Sequence, residues 1–102
     1  MTKTSKIVKM YDRYVMNTYR RVPLCIESAK GMDVKDAEGG EYLDFFPGWA
    51  VSGIGHCHPR VVAAVRKQAG RLLHVSNNYY SEPQALLAKR IIEHSYKGKV
   101  FF

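Results

Sequence analysis

Two turn clusters constrain the first half of this chain more than any other feature. Lys30-Gly31 and Asp36-Ala37-Glu38-Gly39-Gly40 cut the segment from Leu24 to Phe46 into three short extended runs. Glycine supplies the positive φ that tight turns need, and Asp bonds back to the main chain two residues on. Turn chemistry at this spacing predicts an antiparallel meander of Leu24–Ser28, Met32–Lys35 and Glu41–Phe46. Met32 and Val34 alternate towards one face. The polar positions hold most of the acidic side chains, so the negative middle of the chain needs no ligand to explain it.

Helical periodicity flanks the meander. In residues 5–19, Ile7, Met10, Tyr11, Tyr14, Val15 and Tyr19 recur three or four apart, opposite Lys6, Lys9, Asp12, Arg13 and Asn17. This spacing predicts an amphipathic helix capped by Thr4 or Ser5 and ended by Val22-Pro23. A second helix is predicted from Pro59 to Leu73, with His58 at the cap and Pro59 at the first helical position. Its stripe is Val62, Val65, Ala69 and Leu72 or Leu73; Gly70 inside it costs about 1 kcal/mol relative to alanine. After a polar, aromatic loop from His74 to Tyr80, Ser81-Glu82-Pro83-Gln84 offers a capping box and an early proline for a third helix. Leu86, Leu87, Ile91 and Ile92 form its stripe, and Lys97-Gly98 its expected C-cap. The fold class is therefore α+β: a helix, a three-stranded meander, two helices and the start of a strand. That last run, Val100-Phe101-Phe102, would be an exposed edge if left unpaired. The chain reads as the front piece of a longer protein whose remainder lies downstream.

Composition narrows the function classes. With 46% apolar and 12% aromatic residues the chain is of globular type rather than disordered. No apolar run approaches the ~20 residues that span a bilayer, and the lysine-bearing start has no continuous apolar region of the secretory kind. Cys25 and Cys57 form no disulfide framework, which points to a reducing, cytoplasmic setting. The net charge of +7 divides into +5 over residues 1–21, −4 over 22–58 and +6 over 59–102. Its basic side chains fall on the polar faces of helices rather than in one stripe with stacking aromatics, which argues against nucleic acid as a partner.

The stretch FFPGWAVSGIGHCHP, residues 45–59, holds the chain's only tryptophan and two of its four histidines in a glycine-loosened loop. His56-Cys57-His58 reads as structural: His58 caps a helix, Cys57 is a small buried group and His56 bonds locally. A zinc site would need four ligands that this triplet alone does not provide, and a Cys/His nucleophile would need an orienting group and an oxyanion hole. Trp49 has two readings. It is either core beside a strand or the wall of a small-molecule pocket, where a rigid plane with one N–H aligns a flat ligand. Gly48, Gly53 and Gly55 suit the second, and Tyr19, at a helix end, is the other aromatic placed for a pocket wall.

Three motifs carry a resemblance. G-x-x-x-x-D-x-x-G-x-x-Y-L-D from Gly31 to Asp44, G-H-C-H-P from Gly55 to Pro59, and LLHVSNNYYSEPQ from Leu72 to Gln84 resemble the N-terminal region of the class-III, pyridoxal-phosphate-dependent aminotransferases over residues 11–102. The last motif resembles the branch of that family acting on N-acetylornithine. The resemblance implies a piece of a fold-type-I enzyme, with residues 1–48 in the small domain and 49–102 leading into the large, cofactor-binding one. It also implies an active site between domains in a homodimer, and an amino group moved between N-acetylornithine and 2-oxoglutarate in arginine biosynthesis. Tyr19 and Trp49 would line the substrate side, while Gly55–Pro59 would have no catalytic role. Pyridoxal 5'-phosphate would be held by residues beyond Phe102, since the family's S-G-A-E-A phosphate turn follows its V-F-F strand. Amino acids and 2-oxo acids would be the small-molecule partners, with no nucleic acid and no membrane.

Overall fold

A computed structural model describes all 102 residues. Its meander comprises β1 (Ile26–Lys30), β2 (Asp33–Asp36) and β3 (Glu41–Leu43), antiparallel throughout and in the order β1-β2-β3. Ala29 pairs with Val34 and Val34 with Tyr42, while the ladder shifts register between Ile26 and Ser28. β1 and β2 match the expected runs in length but lie two residues and one residue further along the chain, and β3 is shorter than its run. The third ends at Leu43 because Asp44 turns its carboxylate onto the Phe46 N–H and onto a distant histidine, which draws the backbone out of the pleat.

Asp36 organises the second turn. Its Oδ1 accepts the N–H groups of Glu38 (3.0 Å) and Gly40 (2.7 Å), and its Oδ2 accepts the Tyr42 hydroxyl (2.8 Å). Gly39 adopts φ +88° there. A Cβ at Gly40 would lie 2.8 Å from both Asp36 Oδ2 and the Tyr42 hydroxyl. The motif residues Asp36, Gly39 and Tyr42 are thus one hairpin device. Asp36 and Val34, each 8% exposed, are the buried polar and apolar groups of the chain. Satisfying that carboxylate with three donors is what makes its burial tolerable.

Helix α1 spans Lys3–Tyr14. Its cap is Thr2, whose side chain accepts the Ser5 N–H, rather than the expected Thr4 or Ser5. Thr4 is otherwise engaged: its N–H donates to Glu38 at 2.9 Å and its hydroxyl to the same carboxylate. A carboxylate at a helix N-terminus is favourable, and the Thr4 hydroxyl and N–H hold Glu38 below its ordinary range. Lys3 adds an ion pair with Glu27 of β1. The helix ends at Tyr14, not Tyr19. Val15 is extended at φ −111°, ψ 129°, and Met16-Asn17-Thr18 follow with weak helix propensity for two of the three. Tyr19 consequently lies in an irregular segment.

Helix α2 spans Pro59–Ala69, and α3 spans Glu82–Glu93. The second helix stops at the glycine that the spacing had placed within it. Arg71 and Leu72 both send their N–H groups back to the Gln68 carbonyl, a tightened last turn without the left-handed glycine of a helix C-cap. The Ser81 capping box does not form. Gln84, which would reach back to Ser81, donates to Asn77 at 3.4 Å instead, and Ser81 makes no side-chain cap bond. The C-cap is His94 rather than Lys97-Gly98, because the His94 N–H and the Ser95 hydroxyl take up the carbonyls of the last turn. Val100–Phe102 belongs to no strand, since no extended segment lies beside it to pair with; Phe102 is tied by the Asn77 amide at 3.2 Å.

The chain divides into two units, Met1–Ala64 and Val65–Phe102. None of the three helices buries a residue, and the apolar stripes of α1 and α3 remain open at Tyr11, Tyr14, Leu86, Leu87 and Ile91. Apolar faces left in water drive association. Residues 1–102 expressed alone should therefore melt broadly and bind a hydrophobic dye; a sharp, cooperative melt of a monomer would show that they form a self-sufficient domain.

Candidate functional site

The loop between β3 and α2 is closed at its base by one histidine. His56 exchanges both main-chain bonds with Gly31, at 2.9 and 2.8 Å, forming an antiparallel bridge onto the β1–β2 turn. Its ring Nε2–H donates to Asp44 Oδ2 at 2.6 Å, with both side chains about three-quarters buried. His56 therefore does not bond locally, as its place in the triplet had suggested. Backbone packs on backbone at this crossing: a Cβ on Gly55 would lie 3.1 Å from Gly31, and Gly55 sits at φ +83°. The family-like motif positions Gly31, Asp44, Gly55 and His56 are the parts of this clasp.

Within the clasped loop, Gly48, Trp49 and Ala50 all have left-handed backbones, at φ +57°, +57° and +68°. Non-glycine residues pay roughly 1–3 kcal/mol each for such conformations, which persist where surrounding structure dictates them and cluster at functional sites. The turn is closed internally by Ser52 N–H to Pro47 carbonyl (2.9 Å) and Gly55 N–H to Ser52 carbonyl (2.8 Å). Trp49 meets Phe46 edge to face at 5.7 Å yet is 88% exposed. Within these residues, Phe46 is the ring against which the indole packs.

Tyr19 occupies a different place. It is 73% exposed and lines a cleft of about 850 Å³ between α1 and the segment Asn17–Cys25, together with Tyr11, Val15, Arg21 and Leu24. The Arg21 guanidinium lies 5.1 Å over the Tyr11 ring and donates to the Tyr19 carbonyl at 3.4 Å, bracing that segment. Trp49 does not line this cleft, so these residues alone do not bring the two aromatics into one cavity.

The remaining members of the triplet hold no site. Cys57 is exposed at φ +50°, not buried as its residue type had suggested. His58 accepts the Val62 N–H through its main-chain carbonyl, while its ring Nδ1 is buried without a partner. No three His, Cys, Asp or Glu side chains gather to hold a metal ion, and no helix is long and apolar enough to cross a membrane. The Asp44–His56 pair is a feature of the site that the sequence reading missed. Its signal was an Asp and a His at the two ends of a glycine-rich loop.

Comparison with known proteins gives a consistent picture. The family described as aminotransferase class-III matches residues 14–102. An acetylornithine aminotransferase of Caldanaerobacter subterraneus subsp. tengcongensis is 50% identical over 90 residues, 88% of this chain and 23% of its own length. That of Methanocaldococcus jannaschii is 44% identical over 95 residues, 93% of this chain and 24% of its own. Among solved structures, an ornithine aminotransferase of Toxoplasma gondii, described with partial occupancy of PLP at its active site, superposes with a TM-score of 0.84. It is 33% identical and covers 90% of this chain and 22% of its own. The chain thus spans about a quarter of the length of these relatives.

Two carboxylates set the acid limit of this arrangement. The Tyr42 hydroxyl, then the Gly40 N–H, hold Asp36 below its ordinary 3.8, and the His56 ring, then the Phe46 N–H, do the same for Asp44. Lowered folded-state values mean that their stabilisation is complete above about 3.8 and is lost as pH falls through the folded values. Asp36→Asn and Asp44→Asn should each lower the neutral-pH stability of the full-length protein and flatten its loss of stability below pH ~4. Acid titrations of variant and parent that run parallel would contradict these bonds.

Proposed function

The chain belongs to the class-III aminotransferase family, and on that premise we propose that it is the N-terminal part of a pyridoxal-phosphate-dependent transaminase. The reaction is transfer of an amino group between N-acetylornithine and 2-oxoglutarate, within arginine biosynthesis, in a cytoplasmic homodimer. What carries this reading is that both curated relatives described above bear the same name over nearly all of this chain.

These residues do not fit the cofactor's own site. Holding pyridoxal phosphate takes a lysine, a carboxylate for its ring nitrogen and a cradle of donors for its phosphate. The cleft has no lysine in its lining. Lys3, Lys35 and Lys89 are paired with Glu27, Glu41 and Glu93. That the cofactor is held by residues other than these is part of the proposal, supported by the chain's spanning about a quarter of its relatives. The proposed role of this chain is to shape the substrate side, with residues 1–48 in the small domain and 49–102 leading towards the large one. Tyr19 lines its cleft and keeps its ring largely exposed. Trp49 presents an exposed indole on a strained turn, a rigid apolar plane that can lie against a substrate and keep water from it. Ornithine as the amino donor is a second reading, favoured by the likeness to the Toxoplasma gondii enzyme.

Purified full-length protein, supplied with pyridoxal phosphate, should form glutamate from N-acetylornithine and 2-oxoglutarate, with kcat/KM at least ~10-fold above that for ornithine. The reverse preference would favour the second reading, and no turnover of either would overturn both. Trp49→Ala should lower kcat/KM about 5- to 150-fold, equivalent to ~1–3 kcal/mol, and leave Tm nearly unchanged. A core tryptophan would instead cost about 3–5 kcal/mol of stability. A large fall in Tm with kcat/KM intact would sink the pocket-wall role.

A further inference from the structure

We propose that Asp44 and His56 are positioning residues for Trp49: together they form the latch that holds the indole in its substrate-facing conformation. This rests on the reading of Trp49 as a pocket wall. Three consecutive left-handed residues, two of them bearing side chains, make a strained turn at the tip of an eleven-residue glycine-rich loop. The loop's internal main-chain bonds fix the turn Pro47–Gly55 but say nothing of where that turn points. Direction is set at the base, where the chain leaves β3 through Asp44 and returns through His56.

Two kinds of contact meet there, and they do different work. The reciprocal Gly31–His56 main-chain bonds, at 2.9 and 2.8 Å, anchor the returning strand to the β1–β2 turn whatever side chain stands at position 56. The ring of His56 then binds Asp44 Oδ2 at 2.6 Å, while Asp44 Oδ1 accepts the Phe46 N–H at 2.8 Å. Through Phe46 the latch reaches Trp49, whose ring packs edge to face on it at 5.7 Å. One carboxylate therefore joins the two ends of the loop and orients the aromatic against which the indole leans. Because the main-chain anchor survives loss of the imidazole, removing the side chain should loosen the indole without unfolding the meander. The bond is charge-assisted by the Asp44 carboxylate, and both side chains are about three-quarters buried.

The test is a double-mutant cycle in the full-length protein, with KM and kcat for N-acetylornithine read separately. His56→Ala should raise KM about 10-fold with kcat within about 2-fold, matching Trp49→Ala, and the double variant should be no worse than about 10-fold. Asp44→Ala should behave as His56→Ala does. Asp44→Asn, whose amide oxygen can accept the Phe46 N–H while its NH2 donates to the Nε2 of the other neutral His56 tautomer, should stay within about 3-fold of the parent. If the His56 and Trp49 effects multiply to about 100-fold, the two residues act independently and the latch is refuted. It is refuted as well if His56→Ala leaves KM unchanged, or if neither His56→Ala nor Asp44→Ala yields folded protein, since the pair would then be holding the fold rather than the indole. A Trp49→Ala variant with unaltered kinetics would instead overturn the pocket-wall reading itself, whatever His56 does.

Discussion

The reciprocal main-chain bonds between Gly31 and His56 are the point on which the first unit turns. They join the apex of the β1–β2 hairpin to the residue where the long loop returns, so strand, loop and the start of α2 share one crossing. Two glycines make this approach possible. Gly31 takes φ +61°, and Gly55, at φ +83°, stands so close that a single added carbon would strike the Gly31 backbone. The Asp44–His56 bond lies directly beside this crossing and is oriented by it.

A second carboxylate plays the matching part at the other end of the hairpin. Asp36 gathers two N–H groups and a tyrosine hydroxyl, and the following Glu38 reaches out to Thr4 at the start of α1. Acidic side chains in the middle of the chain thus serve as acceptors for turns and a helix end. That use accounts for the local negative charge in an otherwise basic chain. Polar bonds at the turns define the hairpin, in a unit where Val34 is the one buried apolar residue. The helices tell the complementary story, since each carries an apolar stripe and none has buried it. Those faces require other surface to cover them, as expected where a chain spans about a quarter of its relatives.

Much of the fold was legible from residues alone. The three strands, their order and the turns at Gly31 and Gly39 follow from turn chemistry, and Pro59 marks the start of α2 as its missing N–H allows. Helix ends were read less well. The apolar stripe of residues 5–19 continues past Tyr14, but the helix does not, and α2 stops short of Gly70, through which the periodicity ran. In the candidate site, Trp49 and Tyr19 stood out by type and place. Asp44 did not, because an aspartate after a strand looks like any turn residue until its partner is known.

Sequence by itself determined the elements and the turns between them, since a turn is decided by φ preferences and side-chain bonds acting across two to five residues. It also carried the family, through the resemblance of its motifs, in accord with the family match over residues 14–102. The tertiary structure alone decided which of those motif residues meet. Asp44 and His56 are twelve residues apart, and Gly31 and Gly55 lie further apart still along the chain; they touch because the loop closes on the hairpin. It also decided that Trp49 faces outward on a left-handed turn while Tyr19 lines a separate cleft. Contacts of that kind depend on the path of the whole loop, which no local preference encodes.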